Sequence, residues 1–386
     1  MSGSLIDRVR ERLAAEPVPL RPATVAAAIR AESGGVLGDT EMLSNLRMLE
    51  TELSGAGILE PLLAADGTTD VLVTAPGEVW VDDGNGLRRS DIRFPDEAAV
   101  RRLAQRLAVA AGRRLDDAQP WVDGQLVGLV TGGVAVRLHA ILPPVAIAGT
   151  CLSLRLLRPA TQDLVALQAA GAIPVEAGRL LAGIIAARLA FLVSGGTGAG
   201  KTTLLAAALG AVDAGERIVC VEDAPELAPA HPHLVRLVAR GANVEGVGEI
   251  TLRQLVRQAL RMRPDRIVVG EVRGAEVVDL LAALNTGHDG GAGTVHANSP
   301  AEVPARLEAL GALGGLDRGA LHSQLAAAVQ VVVHVSRSGR GRRVAEIALL
   351  RRDDTGLVRA IPAWRAGRGI LDGAAALNRL IERRCG

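Results

Sequence analysis

Nine consecutive residues in the middle of the chain have the types and spacing of a phosphate-binding loop. They fit the pattern Gly-x-x-x-x-Gly-Lys-Ser/Thr and are Gly195, Gly196, Thr197, Gly198, Ala199, Gly200, Lys201, Thr202 and Thr203. In such a loop the glycine backbone turns its N–H groups around phosphate oxygens, and the following helix adds its positive N-terminal end. The lysine would contact the β- and γ-phosphates, and the threonine after it would hold Mg²⁺. The pattern therefore predicts a site for a nucleoside triphosphate.

The segments beside this loop are the ones that the motif requires. The apolar run 189–193 predicts a buried strand before the loop, and residues 204–209 predict a helix after it. The alternative is a glycine-rich turn between a strand and a helix that binds no nucleotide. A bare turn has no need of Lys201 followed by Thr202, so we favour the nucleotide site.

Three carboxylates come directly after a second apolar run. Residues 218–221 are followed by Glu222, Asp223 and Glu226. Ligands of open α/β sheets bind at the carboxyl ends of the strands, which is where these side chains would lie. We expect them to complete the Mg²⁺ site and to position the attacking water, with Glu222 as a metal ligand beside Thr202. The alternative is a solvated acidic loop.

A third apolar run, 267–269, ends in Gly270 and Glu271, where a Walker B motif usually has an aspartate. We expect Glu271 either to act on Mg²⁺ through water or to serve as the base for the attacking water. Arg273, two residues further on, is a candidate for contact with a phosphate or with a neighbouring subunit. A plain surface charge is the alternative for this arginine.

The segment 286–298 combines four glycines with two histidines, His288 and His296. We expect a helix to end near Asn285 with Gly287 as its cap, and the glycines to make a mobile loop. The histidines stand eight residues apart, a spacing that matches no common metal-ligand pair, and no third soft ligand is near. We therefore favour a role in sensing the γ-phosphate or in relaying to a neighbour, with His296 as the candidate.

Three arginines recur at every fourth position on a predicted helix. They are Arg253, Arg257 and Arg261, and Thr251 with Gln254 has the spacing of a capping box at the start of that helix. The commoner explanation of such a basic stripe is a solvated polar face. The alternative is a contact surface between subunits.

The composition of the chain limits the classes of partner. Its 386 residues are enough for two domains, 49% of them are apolar and only 1% are aromatic. The formal net charge of +1 provides no field that would draw the protein to DNA or anionic lipid, and few rings are present for stacking on bases. We therefore expect no direct binding to nucleic acid.

The cysteines and the hydropathy pattern suggest a compartment. The three cysteines are scattered, which argues against a disulfide framework and a structural zinc site. No apolar run reaches the roughly 18 residues of a membrane-spanning helix, and the first residues lack the apolar core of a signal peptide. We expect a cytoplasmic protein that associates with a membrane only through partners.

Changes in pattern along the chain predict four segments. Residues 1–54 read as a helical N-terminal extension, 55–157 as an α+β N-terminal domain, 158–175 as a linker and 176–386 as an α/β domain. In the last segment, strands that alternate with helices predict a parallel sheet covered on both faces. Its final strands, near 330–335 and 344–350, flank an arginine-rich turn at 339–343.

Taken in order, the motifs resemble the type II/type IV secretion ATPase superfamily, and its Tad/Flp pilus-assembly branch in particular. The phosphate loop, an Asp box at 221–227, a Walker B variant at 264–273 and a His box at 286–298 all match the family pattern. The resemblance runs from about residue 100 to residue 350.

This resemblance implies a fold and an activity. Members are cytoplasmic hexameric rings in which ATP and Mg²⁺ lie between an N-terminal domain and a RecA-like P-loop ATPase domain. Hydrolysis moves one domain against the other and passes work to an inner-membrane platform protein that builds or retracts a pilus or moves a substrate. By this resemblance the catalytic residues are Glu226 and Glu271 with Lys201, and the N-terminal-domain arginines that reach the phosphates are Arg137 and Arg155.

Two other functions remain open beside this motor. One is a nucleotide-gated ring scaffold with little turnover, against which the presence of both Glu226 and Glu271 argues. The other is a DNA-translocating motor of a conjugation system, against which the neutral charge and the scarcity of aromatic residues argue. The same scarcity removes the ring that commonly stacks on adenine, so we expect an aliphatic or arginine-lined base pocket.

Overall fold

The computed structural model describes residues 8, 9, 12, 22–33, 55–130, 133–243, 245–338 and 341–385. The chain divides into two compact units, Met1–Arg158 and Pro159–Gly386. The helix α1, Pro22–Glu32, falls within the predicted N-terminal extension. Most of that extension lies outside the described residues.

The described part of the first unit is built around an antiparallel sheet. Its strand order is β3-β2-β1-β6-β5-β4. The strands are β1 Asp70–Ala75, β2 Glu78–Asp82, β3 Leu87–Arg89, β4 Trp121–Leu126, β5 Ala135–Ile141 and β6 Cys151–Leu157. The helices are α2 Glu60–Ala64 and α3 Glu97–Ala110.

Side chains of the first unit alternate between its core and its outer face. Along β5, Val136 and Leu138 are fully buried while Arg137 between them is partly exposed, as the period of two in a strand requires. The inward residues share one core with Val100 and Leu107 of α3. This arrangement leaves a charged outer face on the sheet.

The second unit contains a larger sheet, with the order β15-β14-β13-β12-β7-β11-β10-β8-β9. Its strands are β7 Phe191–Ser194, β8 Ile218–Glu222, β9 Leu234–Val238, β10 Arg266–Val272, β11 Ala292–Val295, β12 Val331–Ser338, β13 Gly341–Arg352, β14 Val358–Arg365 and β15 Gly369–Ile370. Its helices are α4 Leu164–Ala169, α5 Val175–Ala186, α6 Lys201–Gly210, α7 Leu252–Ala259, α8 Glu276–Leu284, α9 Val303–Leu313, α10 Arg318–Ala328 and α11 Ala374–Cys385.

Strands β12, β7, β11, β10, β8 and β9 are parallel, and helices cover both of their faces. Phe191 of β7 belongs to one apolar cluster with residues of α5, α6 and α11, whereas Leu192 belongs to another with residues of α7 to α10. Burying one such side chain contributes about 1.5–3 kcal/mol. The predicted α/β class is confirmed, and β13 to β15 extend the sheet in antiparallel fashion.

One sequence prediction in this unit is wrong and another is confirmed. The segment 286–298 is not a mobile loop throughout, because Ala292–Val295 form the buried strand β11 between β7 and β10. A Cβ on Gly293 would lie 3.0 Å from the carbonyl oxygen of Val269, so close strand packing demands a small residue there. The predicted capping box of Thr251 and Gln254 is present at the start of α7.

An ion pair is buried where the second unit's parallel strands begin. Arg266, the first residue of β10, is 1% exposed, and its guanidinium donates to both carboxylate oxygens of Glu216 at 2.8 and 2.9 Å. It also donates to the carbonyl oxygens of Ile185 and Gly290. Arg188 adds a third contact to the same carboxylate, at 3.1 Å. The network ties the end of α5 to β10.

Within the described ranges, no helix is long and apolar enough to cross a lipid bilayer.

Candidate nucleotide-binding site

The phosphate loop joins the end of β7 to the start of α6. Gly200, which precedes the helix, has φ +96°, in the left-handed region that glycine adopts without strain. A Cβ on Gly195 would lie 2.5 Å from the carbonyl oxygen of Val335 on β12, so the loop leaves the sheet where only glycine fits. Gly196, Thr197 and Gly198 are exposed, Ala199 is buried, and Thr202 and Thr203 are half-buried in the first turn of α6.

The side chain of Lys201 is buried and folds back onto its own loop. Its Nζ donates to the carbonyl oxygens of Gly195 at 3.1 Å and of Gly196 at 3.0 Å. Burial lowers the pKa of Lys201, although two nearby glutamates raise it in part. A bound polyphosphate would supply anionic oxygens to an ammonium group whose hydrogen-bond partners among the described residues are two neutral carbonyls of the loop and one ring.

That ring belongs to His296, which bridges the loop to the Walker B variant. Its Nε2 lies 3.2 Å from Nζ of Lys201 and 2.6 Å from Oε1 of Glu271. His296 directly follows β11, and Glu271 lies on β10, so two neighbouring parallel strands deliver the two side chains to one edge of the sheet. The structure therefore brings together three of the residues that the sequence analysis selected.

Glu226 approaches the loop from the other acidic segment. Its Oε2 accepts a hydrogen bond from Oγ1 of Thr202 at 3.3 Å. Its carbonyl oxygen accepts one from the N–H of Ala160 at 3.1 Å, in a short parallel bridge between Ala160 and Leu227. A hydroxyl and a carboxylate thus lie side by side at the N-terminal end of α6.

Glu222 occupies a different place from the one we expected of a metal ligand. It is 2% exposed, and its Oε1 accepts hydrogen bonds from the N–H groups of Glu226 and Leu227 at 3.0 and 2.7 Å. Its Oε2 is buried, with no hydrogen-bond partner among the described residues, and Nε of Arg236 is 3.6 Å away. The side chain supports the turn that carries Glu226, which the sequence pattern did not indicate.

Burial raises the pKa of Glu222 to about 7 from an ordinary value of 4.5, against the opposing effects of its hydrogen bonds and Arg236. Below about pH 4.5 the Glu222 carboxyl is protonated in both the folded and the unfolded chain, so folding buries no charge there. As the pH rises towards 7 the unfolded chain releases the proton first, and the free energy of unfolding decreases. We expect Glu222→Gln to gain on the order of 3 kcal/mol relative to wild type between pH 4.5 and pH 8.

Urea denaturation at both pH values checks this expectation. Glu245→Gln, a change at an exposed position of the same unit, serves as the matched control and should follow wild type. Parallel pH dependence in wild type and Glu222→Gln would contradict the assignment of a costly buried carboxylate.

Arg273 and His288 both make contacts within the second unit. Nη2 of Arg273 pairs with Oδ2 of Asp223 at 2.5 Å, which links the ends of β10 and β8. Nδ1 of His288 lies 3.1 Å from the carbonyl oxygen of Ala283, near the end of α8, and so contacts a helix terminus. Contact of Arg273 with a phosphate stays a prediction.

Part of the basic stripe on α7 is engaged within the chain. Arg253 and Arg257 both contact Asp279 of α8, at 2.6 and 2.7 Å. A guanidinium nitrogen of Arg261 donates to the carbonyl oxygen of Arg257. These contacts favour the simpler explanation, a charged face that is partly neutralised within the unit.

Arg137 and Arg155 lie side by side in the first unit. They are directly opposite each other on β5 and β6. Arg137 contacts Asp123 at 2.7 Å, and Arg155 contacts Asp70 at 2.8 Å. The two arginines therefore share the outer face of the sheet, and their contact with phosphates stays a prediction.

The residues around Thr202 fit Mg²⁺ only together with a nucleotide. Hydroxyl and carboxylate oxygens are the ligands that Mg²⁺ prefers, and Thr202 and Glu226 supply them. Within the described residues, no group of three or more His, Cys, Asp and Glu side chains is placed to hold a metal. An ion held by Thr202 and Glu226 would take its remaining ligands from substrate phosphates and water.

A cleft of about 530 Å³ opens on the His296 side of the loop. Gly196, His296, Asn298 and Arg306 are among the residues that line it. Asn298 is held by Glu302, whose Oε2 accepts from both its backbone and side-chain nitrogens at 3.1 Å. The cleft adjoins the end of the loop to which Lys201 reaches.

Sequence reasoning missed a buried contact beneath the loop. Oγ of Ser194 and Nδ1 of His334 are 2.9 Å apart, where β7 and β12 pair in register. Burial lowers the pKa of His334, which Glu346 and Glu302 oppose in part. The two residues are 140 positions apart, so no local pattern could have indicated the pair.

Residues 52–357 match the model of the family described as Type II/IV secretion system protein. The match covers well over half of the chain. The chain belongs to this family. The predicted superfamily and the predicted ATPase class are thereby confirmed, and with them the binding of a nucleotide.

Individual relatives agree with this assignment. A putative conjugal transfer protein of Mycobacterium tuberculosis (strain H37Rv) is 78% identical over 350 residues, covering 90% of this chain and 99% of the relative. The conjugal transfer protein TrbB of Rhizobium radiobacter is 30% identical over 316 residues, covering 80% and 92%. The ATPase DotB of Legionella pneumophila has a similar fold, with a TM-score of 0.53, 19% identity and 83% of each chain covered.

The secretion family includes more than one kind of machine. The names of the Mycobacterium tuberculosis and Rhizobium radiobacter relatives refer to conjugal transfer, whereas our sequence analysis favoured the Tad/Flp branch. That finer assignment stays a prediction for this family member.

Proposed function

We propose that this ATPase hydrolyses Mg-ATP as a hexameric cytoplasmic ring and passes the work to an inner-membrane platform protein. The observation that supports the proposal most is the convergence of Lys201, His296 and Glu271 within hydrogen-bond distance at one edge of the sheet. The two units of the chain would serve as the N-terminal domain and the ATPase domain of each subunit. Residues 159–175, most of the predicted linker, belong to the second unit, where Leu164–Ala169 form a helix.

Each side chain of the site would have a separate role. Lys201 would leave the loop carbonyls for the β- and γ-phosphates, and Thr202 with Glu226 would hold Mg²⁺. Mg²⁺ would neutralise charge that develops on the phosphates. Glu271 is the candidate base for the attacking water, and His296 holds its carboxylate in place. Glu222 would keep the turn of Glu226 in position.

The composition of the chain adds support that is independent of geometry. Lys201 is the only lysine in 386 residues, while the other 42 of the 43 basic side chains are arginines. A sequence that uses arginine everywhere else retains the compact ammonium at the one position where a phosphate loop needs it.

We expect Lys201→Ala to weaken binding of Mg-ATP by at least about tenfold, the loss that follows from removing hydrogen bonds to a charged group. Turnover should fall to background in the same variant. Phosphate release and calorimetric titration measure the two effects, and Arg383→Ala on the exposed face of α11 is the control. Undiminished turnover without Lys201 would contradict the proposed site.

The single lysine also permits a chemical test. An amine-reactive reagent can label Lys201 and the N-terminal amine, and peptide mass spectrometry separates the two. We expect Mg-ATP to protect Lys201 and leave labelling of the N-terminus unchanged. Equal labelling with and without Mg-ATP would mean that the nucleotide does not cover the loop.

For the machine that the ring serves, we propose assembly of a Tad/Flp pilus or secretion of a substrate. A conjugation motor is the second candidate, favoured by the names of the two relatives that refer to conjugal transfer. Neighbouring genes for small pilin-like and polytopic membrane proteins would support the pilus. DNA binding that weakens steeply with salt would support the conjugation motor.

A further inference from the structure

The hairpin of β12 and β13 continues past the phosphate loop. β12 pairs with β7 up to the register of His334 with Ser194, and it then extends four residues further, to Ser338. The loop leaves β7 against this extension, since a Cβ on Gly195 would lie 2.5 Å from the carbonyl oxygen of Val335. The hairpin therefore forms one wall beside the loop.

Two arginines face each other across this extension. Arg337 and Arg342 are directly opposite in the antiparallel pairing, and both are exposed. Residues that pair in this way project to the same face of a two-stranded ribbon. The next pair along that face, Val335 with Val344, is buried in the same apolar cluster as Ala199 of the loop. The face that carries the arginines is thus the face that packs on the loop.

Distances to the loop agree with this orientation. Cδ of Arg342 lies 3.4 Å from the place of a Cβ on Gly200, and Nη1 of Arg337 lies 4.0 Å from that of a Cβ on Gly198. Ser336 and Arg343 form the intervening pair, which alternation turns to the opposite face. Arg343 therefore provides a matched control within the same hairpin.

The two strands beside β7 indicate which side of the loop would face the γ-phosphate and which would face the α- and β-phosphates. On one side lies β11, followed by His296, which contacts Lys201 and also Glu271 of the next strand, β10. Because the lysine of such a loop contacts the β- and γ-phosphates, that side takes the γ end. The hairpin lies on the other side of β7, next to the loop glycines whose N–H groups cradle the α- and β-phosphates.

Charge strengthens the argument. Two guanidinium groups on one face offer an anion two positively charged hydrogen-bond donors. We propose that Arg337 and Arg342 bind the α- and β-phosphates of the nucleotide from the hairpin side. This proposal rests on the proposed function, because it requires a nucleotide in the loop.

A contact with the base is the competing role for the same arginines. Guanidinium planes stack on flat rings such as a nucleotide base. In the described part of the second unit, the two aromatic residues Phe191 and Trp364 are buried, so neither is exposed for stacking on a base. A phosphate contact affects every nucleoside diphosphate alike, whereas stacking and edge contacts depend on the base. Comparison of two bases separates the roles.

The test is calorimetric titration of the full chain with Mg-ADP and with Mg-GDP. We expect Arg342→Ala and Arg337→Ala each to weaken both ligands about tenfold or more, as loss of a charge-assisted hydrogen bond implies. Arg343→Ala should bind both within about twofold of wild type. Arg342→Lys keeps the charge but not the paired N–H groups, so its loss should be smaller.

Each outcome separates this inference from the proposed function. Weaker binding of Mg-ADP with unchanged binding of Mg-GDP would overturn the phosphate contact in favour of the base. Unchanged binding of both by the alanine variants, while wild type binds and Lys201→Ala does not, would overturn this inference alone. Absence of binding by wild type would overturn the proposed function itself. Thermal unfolding midpoints equal to wild type show that a weaker variant is folded.

Discussion

Glu271→Gln is expected to lower kcat for ATP hydrolysis by about 10²- to 10⁴-fold, the usual contribution of a positioned general base. The amide keeps the size of the side chain and still accepts a hydrogen bond from His296, whose Nε2 lies 2.6 Å from Oε1 of Glu271. It cannot take a proton from water. The affinity for Mg-ATP should therefore change only a few-fold, while turnover is almost lost.

Steady-state phosphate release and binding of Mg-ATP, measured on the same preparation, test this separation. Glu245→Gln makes the same chemical change at an exposed position, and its kcat should equal that of wild type. A parallel loss of affinity and kcat in Glu271→Gln would assign the residue to binding instead. A kcat within threefold of wild type would remove Glu271 from the catalytic role.

The second large effect concerns stability. Glu216→Ala is expected to destabilise the chain by about 3–5 kcal/mol, because it leaves the buried guanidinium of Arg266 without its anion. Arg188 loses the same partner. Urea denaturation followed by circular dichroism measures the change. The nucleotide site is at the opposite ends of these strands, so folded Glu216→Ala should still bind Mg-ATP at low temperature.

A surface pair provides the comparison for this prediction. Arg318→Ala removes a contact with Glu308 in which the arginine is 63% exposed, and it should leave the unfolding midpoint nearly unchanged. Replacing both members of the buried pair with apolar residues should restore only part of the loss, because the carbonyls of Ile185 and Gly290 would still lack a donor. Equal effects of Glu216→Ala and Arg318→Ala would contradict the buried role.

The local parts of the fold were predictable because their signals are local. The apolar runs near 191, 218 and 266 each become a buried parallel strand, since continuous apolar segments are typical of a sheet covered on both faces. The strand Ala292–Val295 was missed because alanine and glycine carry little strand preference. Its position at the centre of the sheet is a tertiary property that demands small side chains.

The residues of the candidate site were predictable where a local motif marks them. Lys201, Thr202, Glu226, Glu271 and His296 were selected from motif spacing, and the structure places them at one edge of a sheet. Glu222 was assigned the wrong surroundings, because the sequence cannot tell whether a carboxylate at a strand end turns outward or back to the chain. The loop face of Arg337 and Arg342 depends on a pairing between strands that no local pattern reveals.

One hydrogen bond ties the start of the second unit to the turn that carries Glu226. The N–H of Ala160, just after the chain crosses from the first unit to the second, is bound to the peptide oxygen of Glu226. A change in the path of the chain at Ala160 would therefore be passed directly to the backbone of a proposed magnesium ligand, without involving the strands.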